Sequence, residues 1–211
     1  MLLPVGASAL CLLVCLPMFI NLKKSLRHVL AAVFKSLGTG CALIMALVAA
    51  VRLDSGCWIC VIALAFQAAG DFALEFTFPV GMVLFLAGHI CYISYFVRTM
   101  SFGTPVLICI AGLLITAGLM LYQWRKNIDK HMRLFIIYGI ILASMSGIAI
   151  GGGMAGISLS GVLTALGGAL FYVSDCLLLR NMLFPSGRLL PWIIMITYYI
   201  SQLAIGMSCL F

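Results

Sequence analysis

Eight runs of about twenty apolar residues follow one another along the chain, and the short gaps between them hold nearly all of the charge. A helix needs ~20 residues to cross a hydrocarbon core of ~30 Å, so each run is long enough to span a bilayer. The pattern predicts helices over Leu2–Ile20, Val29–Val51, Cys57–Leu74, Val80–Val97, Pro105–Tyr122, Leu134–Met154, Ser158–Leu179 and Leu189–Leu210. The expected fold class is therefore all-α, a polytopic membrane bundle of eight transmembrane helices. No gap has room for a separate soluble domain, and residues 1–211 are read as one integral membrane domain.

The gaps differ in charge. Those after the first, third, fifth and seventh helices hold Lys23, Lys24, Arg27, Arg125, Lys126, Lys130, Arg133, Arg180 and Arg188, whereas the opposite side holds Arg52 and Arg98. By the positive-inside rule the odd-numbered loops are cytoplasmic and both termini extracytoplasmic or luminal. The first run has no basic residue before it and three after it, the reverse of a cleaved signal peptide, so it reads as a retained helix. Trp58, Trp124 and Trp192 each fall at a predicted helix end, where an indole prefers the headgroup level.

Composition agrees with the pattern: 65% of the residues are hydrophobic and 8% charged, against about 25% charged in soluble domains. The net charge of +7 comes from residues scattered through loops, not from a basic patch interleaved with aromatics, so a nucleic-acid partner is not expected. Of nine cysteines, Cys11, Cys15, Cys41, Cys91, Cys109, Cys176 and Cys209 lie in apolar runs, where cysteine behaves as a small hydrophobe. Cys57-x-x-Cys60 has neither a histidine nor a second such pair nearby, and only His89 of three histidines is intramembrane, so no metal and no cofactor is expected. Gly147-x-x-x-Gly151 and the small residues from Gly161 to Gly168 suit close helix packing. Gly151-x-Gly153-x-x-Gly156 matches a dinucleotide fingerprint in letters only, because it ends a membrane helix and lacks a preceding strand.

Charged groups inside a membrane are expensive, at least ~2.5–3.5 kcal/mol each on insertion scales, and so demand a reason. Lys35, Asp71 and Asp175 are the three strong cases, each roughly 5–9 Å inside the same boundary at 1.5 Å rise per residue. Tyr138 enters at the same depth, and Glu75 and Asn181 cap this layer, with Glu75 expected to be solvated. Deeper, His89 and Tyr92 share one face of the fourth helix, and Tyr198, Tyr199 and Gln202 belong to the eighth; together they are expected to line a polar shaft above the charged layer. A structural ion pair between Lys35 and one aspartate is the plain alternative, and it leaves the other aspartate unpaired.

These residues carry a resemblance. Lys35-Ser36-Leu37, Gly70-Asp71, His89-x-x-Tyr92, Gly168-Ala169-Leu170-Phe171-x-x-Ser174-Asp175-x-x-Leu178 and Tyr199-x-x-Gln202, in that order, make the chain similar to the YhhN-type lysoplasmalogenases, eight-helix proteins of bacterial and animal membranes. The helix-seven segment is the most specific piece. Where such proteins often have proline after the helix-two lysine, this chain has Ser36. The resemblance implies a hydrolase of the vinyl ether bond of lysoplasmalogens, releasing a fatty aldehyde and glycerophosphoethanolamine or glycerophosphocholine. Its implied site has Asp71 and Asp175 as catalytic residues, supported by Lys35, His89, Tyr92, Tyr138, Ser174, Tyr199 and Gln202, and its partners are a lysophospholipid substrate and membrane lipid.

The chemistry is compatible with two carboxylates in unlike surroundings. Vinyl ethers hydrolyse by protonation at carbon followed by capture of water, which calls for an acid and a base side by side. A carboxyl group shut away from water tends to keep its proton, while one beside a cation is held ionised. Lys126, Lys130, Arg133 and Arg188 are the candidates to meet a lipid phosphate, although topology alone accounts for them. The competing reading is a proton- or cation-coupled small-molecule transporter using Asp71 and Asp175 as relay carboxylates. A non-catalytic lipid-binding protein is a third.

Overall fold

A computed structural model of the chain describes residues 2–53, 55–128, 132–156, 158–185 and 187–211. These form eight helices of membrane-spanning length and hydropathy: α1 (Leu2–Lys24), α2 (His28–Arg52), α3 (Ser55–Leu74), α4 (Phe78–Thr99), α5 (Thr104–Ile128), α6 (Met132–Ala155), α7 (Leu159–Leu183) and α8 (Leu190–Ser208). The helix count and the all-α class are as the sequence pattern predicts. The elements run a few residues past most of the expected ends, because a helix continues through the interfacial layer where charged side chains can reach water.

Local sequence explains the element starts. Pro79 and Pro191 occupy the first turns of α4 and α8, and Pro105 the second residue of α5, positions where the missing N–H is not needed. The Ser158 hydroxyl accepts a hydrogen bond from the Gly161 N–H at 3.0 Å and caps α7. Within α1, Cys11–Cys15 form a π-helical turn in which the Leu16 N–H reaches back to the Cys11 carbonyl, just before Pro17, which has no N–H to give.

Successive helices pack as neighbours except α4 and α5, and the bundle closes through α2 against α8 and α4 against α6. The α2/α8 seam is held by absent side chains: a Cβ on Gly206 would lie 2.5 Å from the Ala42 carbonyl oxygen, and one on Gly38 would lie 2.5 Å from the Tyr199 ring. Gly147 and Gly151 come as close to the α5 backbone at Ile110 and Val106, so the Gly147-x-x-x-Gly151 pair serves packing. In contrast, α5 buries only Val106 and Ile128 among its residues and stands at the outside of the bundle. None of the nine cysteines, all of them among the described residues, is in a disulfide. Cys57 and Cys209 are joined at the far end of the bundle by Tyr95, whose hydroxyl lies 3.4 Å from the Cys209 sulfur and 3.9 Å from that of Cys57.

Candidate active site

The charged layer assembles because side chains one helical turn apart share a face. On α2, Lys35 and Thr39 point the same way; on α3, Asp71 is followed one turn later by Glu75. Asp71 is fully buried. Its Oδ2 accepts hydrogen bonds from the Thr39 hydroxyl at 2.5 Å and the Tyr198 hydroxyl at 2.8 Å, while Oδ1 faces the Lys35 ammonium at 3.7 Å. Lys35 also reaches Glu75 at 3.3 Å, and Lys23 closes on the other oxygen of Glu75 at 2.9 Å. The cluster alternates in sign, so each buried charge has an opposite neighbour.

Glu75 departs from expectation. It does not stand in solvent: its side chain is 4% exposed and bridges Lys23 and Lys35. Burial alone would push the Glu75 carboxyl up, but the Lys35 and Lys23 ammonium groups and their hydrogen bonds outweigh it and hold the group below its ordinary 4.5. A folded-state value below the unfolded one stabilises the fold above that ordinary value, and the contribution is lost as pH falls through the folded value. The stability difference between the parent and Glu75→Gln is therefore expected to be constant above about pH 4.5 and to shrink in more acid solution. Thermal unfolding in detergent across that range checks this; a difference that grows on acidification would contradict the pairing.

Asp175 is different. It accepts a hydrogen bond from the Tyr138 hydroxyl at 2.5 Å on Oδ2, and among the described residues it forms no ion pair. Both aspartates, Lys35, Tyr138 and Tyr198 line one cavity, which encloses about 960 Å³ of empty space with its open mouth included. Its remaining wall is mostly apolar, drawn from α3 to α8, with Phe78, Met82, Phe135 and Leu178 prominent. One polar corner thus opens into a slot fit for hydrocarbon.

The other site candidates are placed differently. His89, Tyr92, Tyr199 and Gln202 are fully buried and do not line this cavity, so the expected shaft is filled with packed side chains. The Tyr92 hydroxyl donates to Gln202 Oε1 at 2.8 Å, and the Tyr92 ring stacks on Phe96. Tyr199 donates to the Lys35 backbone carbonyl at 3.1 Å, fixing the turn of α2 that carries the lysine. His89 stands edge-on behind Tyr138, with ring centroids 5.4 Å apart, and so backs the phenol that holds Asp175. Ser174 borders the cavity, but its hydroxyl donates to the Ile194 carbonyl at 3.0 Å and ties α7 to α8. Ser36, at the position of the proline common in similar proteins, donates to the Ala68 carbonyl at 2.7 Å and couples α2 to α3 beside Lys35.

Lys126, Arg133 and Arg188 are exposed and do not line the cavity; Lys130 and His131 lie outside the described residues. Thr39 was not singled out from the sequence as a site residue, although its position one turn from Lys35 marked it. Among the described residues, no three of the His, Cys, Asp and Glu side chains are grouped to hold a metal ion.

A bundle of eight membrane-length helices with an acid cluster bordering an apolar cavity defines the class: a multi-pass membrane protein with a buried carboxylate site. Over residues 30–209 the sequence matches the YhhN family, and the chain belongs to that family. No curated protein and no solved structure matches it.

Proposed function

We propose that the chain is an intramembrane hydrolase that cleaves the vinyl ether bond of lysoplasmalogens to a fatty aldehyde and glycerophosphoethanolamine or glycerophosphocholine. Membership of the YhhN family supports this reading. The observation that carries it is the inequality of two aspartates on one cavity: Asp71 stands beside Lys35, whereas Asp175 accepts from the Tyr138 phenol and forms no ion pair among the described residues.

We assign the roles from that inequality. Asp175, with Tyr138 on one oxygen, carries a proton on the other and gives it to the outer vinyl carbon, whose π electrons form the new C–H bond. Positive charge develops on the ether-bearing carbon next to the Asp71 carboxylate. Asp71 takes a proton from a water molecule as its oxygen bonds to that carbon, which yields a hemiacetal. In the collapse, the hemiacetal hydroxyl returns its proton to Asp175 while Asp71 delivers the other to the departing glycerol oxygen. The C–O bond breaks, the aldehyde leaves, and both carboxyl groups regain their starting states; water is the only co-reactant. Lys35 keeps Asp71 anionic, and Thr39 and Tyr198 hold its other oxygen in place.

The test is direct. Purified protein given a vinyl-ether lysolipid is expected to release free aldehyde, and the saturated alkyl-ether analogue, which has no double bond to protonate, is expected to release none. Absence of aldehyde from the first would refute the assignment. Orientation is part of the same proposal, with the site in the cytoplasmic leaflet and both termini on the other side. A reporter fused after Phe211 is expected to read as extracytoplasmic or luminal, and one inserted at Asn127 as cytoplasmic. The reverse pattern would move the site to the opposite leaflet.

A further inference from the structure

A second hollow adjoins the first. It is a groove between α5 and α6 with about 770 Å³ of empty space, its open side included, and it shares Ala117, Leu121 and Gly139 with the carboxylate cavity, so these three residues form the wall between the two. The wall is thin at Gly139, where an added Cβ would meet only Leu121 at 3.9 Å and Ala117 at 4.0 Å. On its outer side the groove is bordered by Tyr122, Ile136 and Ile140, all exposed in the isolated chain and apolar enough to face lipid.

One charged side chain lines the groove, Arg125, at the loop end of α5. Its guanidinium lies 4.0 Å from the centre of the Tyr122 ring and donates to the Tyr122 carbonyl at 3.0 Å, so this exposed side chain is folded back along α5 at the mouth of the groove. An arginine fork at the headgroup level, above an apolar slot that leads to a carboxylate site, matches one occupant: a single-chain lipid with a phosphate head.

We infer that the α5/α6 groove is the lateral port by which a single-chain phospholipid enters the carboxylate cavity from the adjacent leaflet, its phosphate on Arg125 and its chain passing the Ala117–Leu121–Gly139 gap. The port deepens the hydrolase reading and rests on it for the fate of the lipid. Arg125 thereby takes the place of Lys126, Arg133 and Arg188, none of which lines either hollow. It also gives a role to the loose outer position of α5, since a helix with so few buried residues can shift to pass a chain.

The probe is a saturated 1-O-alkyl lysophosphocholine with a diazirine in its chain, photolysed with the full-length protein in nanodiscs. In the parent, adducts are expected on the cavity residues Met82, Phe135 and Leu178. Gly139→Leu fills the gap and is expected to lower this labelling about tenfold or more, the scale on which an apolar pocket rejects excess bulk. Leu121→Ala widens the same gap and is expected to raise it. Arg125→Gln is expected to cost the phosphocholine probe about tenfold, the scale of a lost charge-assisted hydrogen bond, and to leave labelling by an uncharged 1-O-alkylglycerol probe unchanged. An unlabelled cavity in the parent, or parent-level labelling in both Gly139→Leu and Arg125→Gln, would overturn the port. Aldehyde release measured in parallel separates the two ideas: a parent that labels as described but releases no aldehyde refutes the hydrolase and leaves the port standing.

Discussion

Asp175→Asn and Asp71→Asn are each expected to lower aldehyde release from a vinyl-ether lysolipid by about 10²–10⁴-fold, the usual cost of removing a general acid or base. Asparagine keeps the shape of the side chain and can still accept from Tyr138, or from Thr39 and Tyr198, but it cannot cycle a proton. Because the two groups act as one unit, the double variant is expected to be little slower than either single one. Both proteins are expected to insert and remain monodisperse in detergent, since neither change alters the volume of the core. The measurement is the steady-state rate of aldehyde formation by parent, single and double variants at matched protein concentration. An Asp175→Asn protein that is well folded and works at near the parent rate would reduce the pair to structural residues and return the transporter and scaffold readings to the front.

The second large effect is on the fold. Gly206→Leu is expected to destabilise the bundle by about 1–3 kcal/mol or more, the range for overpacked cores, because the new Cβ would lie 2.5 Å from the Ala42 carbonyl oxygen and backbone cannot swing aside as a side chain does. The displacement would reach the site. The same α2/α8 seam places Thr39 and Tyr198 together on Asp71 and Tyr199 on the Lys35 carbonyl, so activity should fall with stability. Gly112 supplies the contrast: a Cβ there meets nothing within 4 Å, and Gly112→Ala is expected to be neutral or stabilising by up to about 1 kcal/mol through helix propensity. Thermal unfolding of the two variants beside the parent checks both signs. Equal midpoints for all three would show that the seam is more compliant than its distances imply.

The path of the substrate divides the hydrolase from a transporter in physical terms. A transporter of this kind needs a polar route through both halves of the bundle. In the half beyond the carboxylates, Tyr92, Phe96 and Gln202 are fully buried, and the Tyr92–Gln202 hydrogen bond joins α4 to α8 across the core. The carboxylate cavity instead extends sideways towards α5 and α6, the side from which the proposed lipid substrate would enter.

Apolar length along the chain is enough to give the number of helices and their approximate limits, because the cost of exposing backbone and charge to hydrocarbon leaves a one-dimensional trace. Lys35, Asp71, Asp175 and Tyr138 were legible for that reason: each is a polar group at a depth where it needs a partner. Which partner each takes was not legible, since depth says nothing about rotation. Only the packing of α2 against α3 and α8 gives Lys35 to Asp71 and Glu75 and leaves Asp175 to Tyr138. The same limit explains the misplaced shaft. His89, Tyr92, Tyr199 and Gln202 share helix faces that sequence spacing can find, but whether a shared face meets empty space or another helix depends on the glycines opposite. Close approach at Gly38 and Gly206 fills the α2/α8 side, whereas sparse packing of α5 leaves the other side hollow. The location of the cavity was therefore decided by tertiary structure alone, through the unequal closeness of helices that look alike in hydropathy.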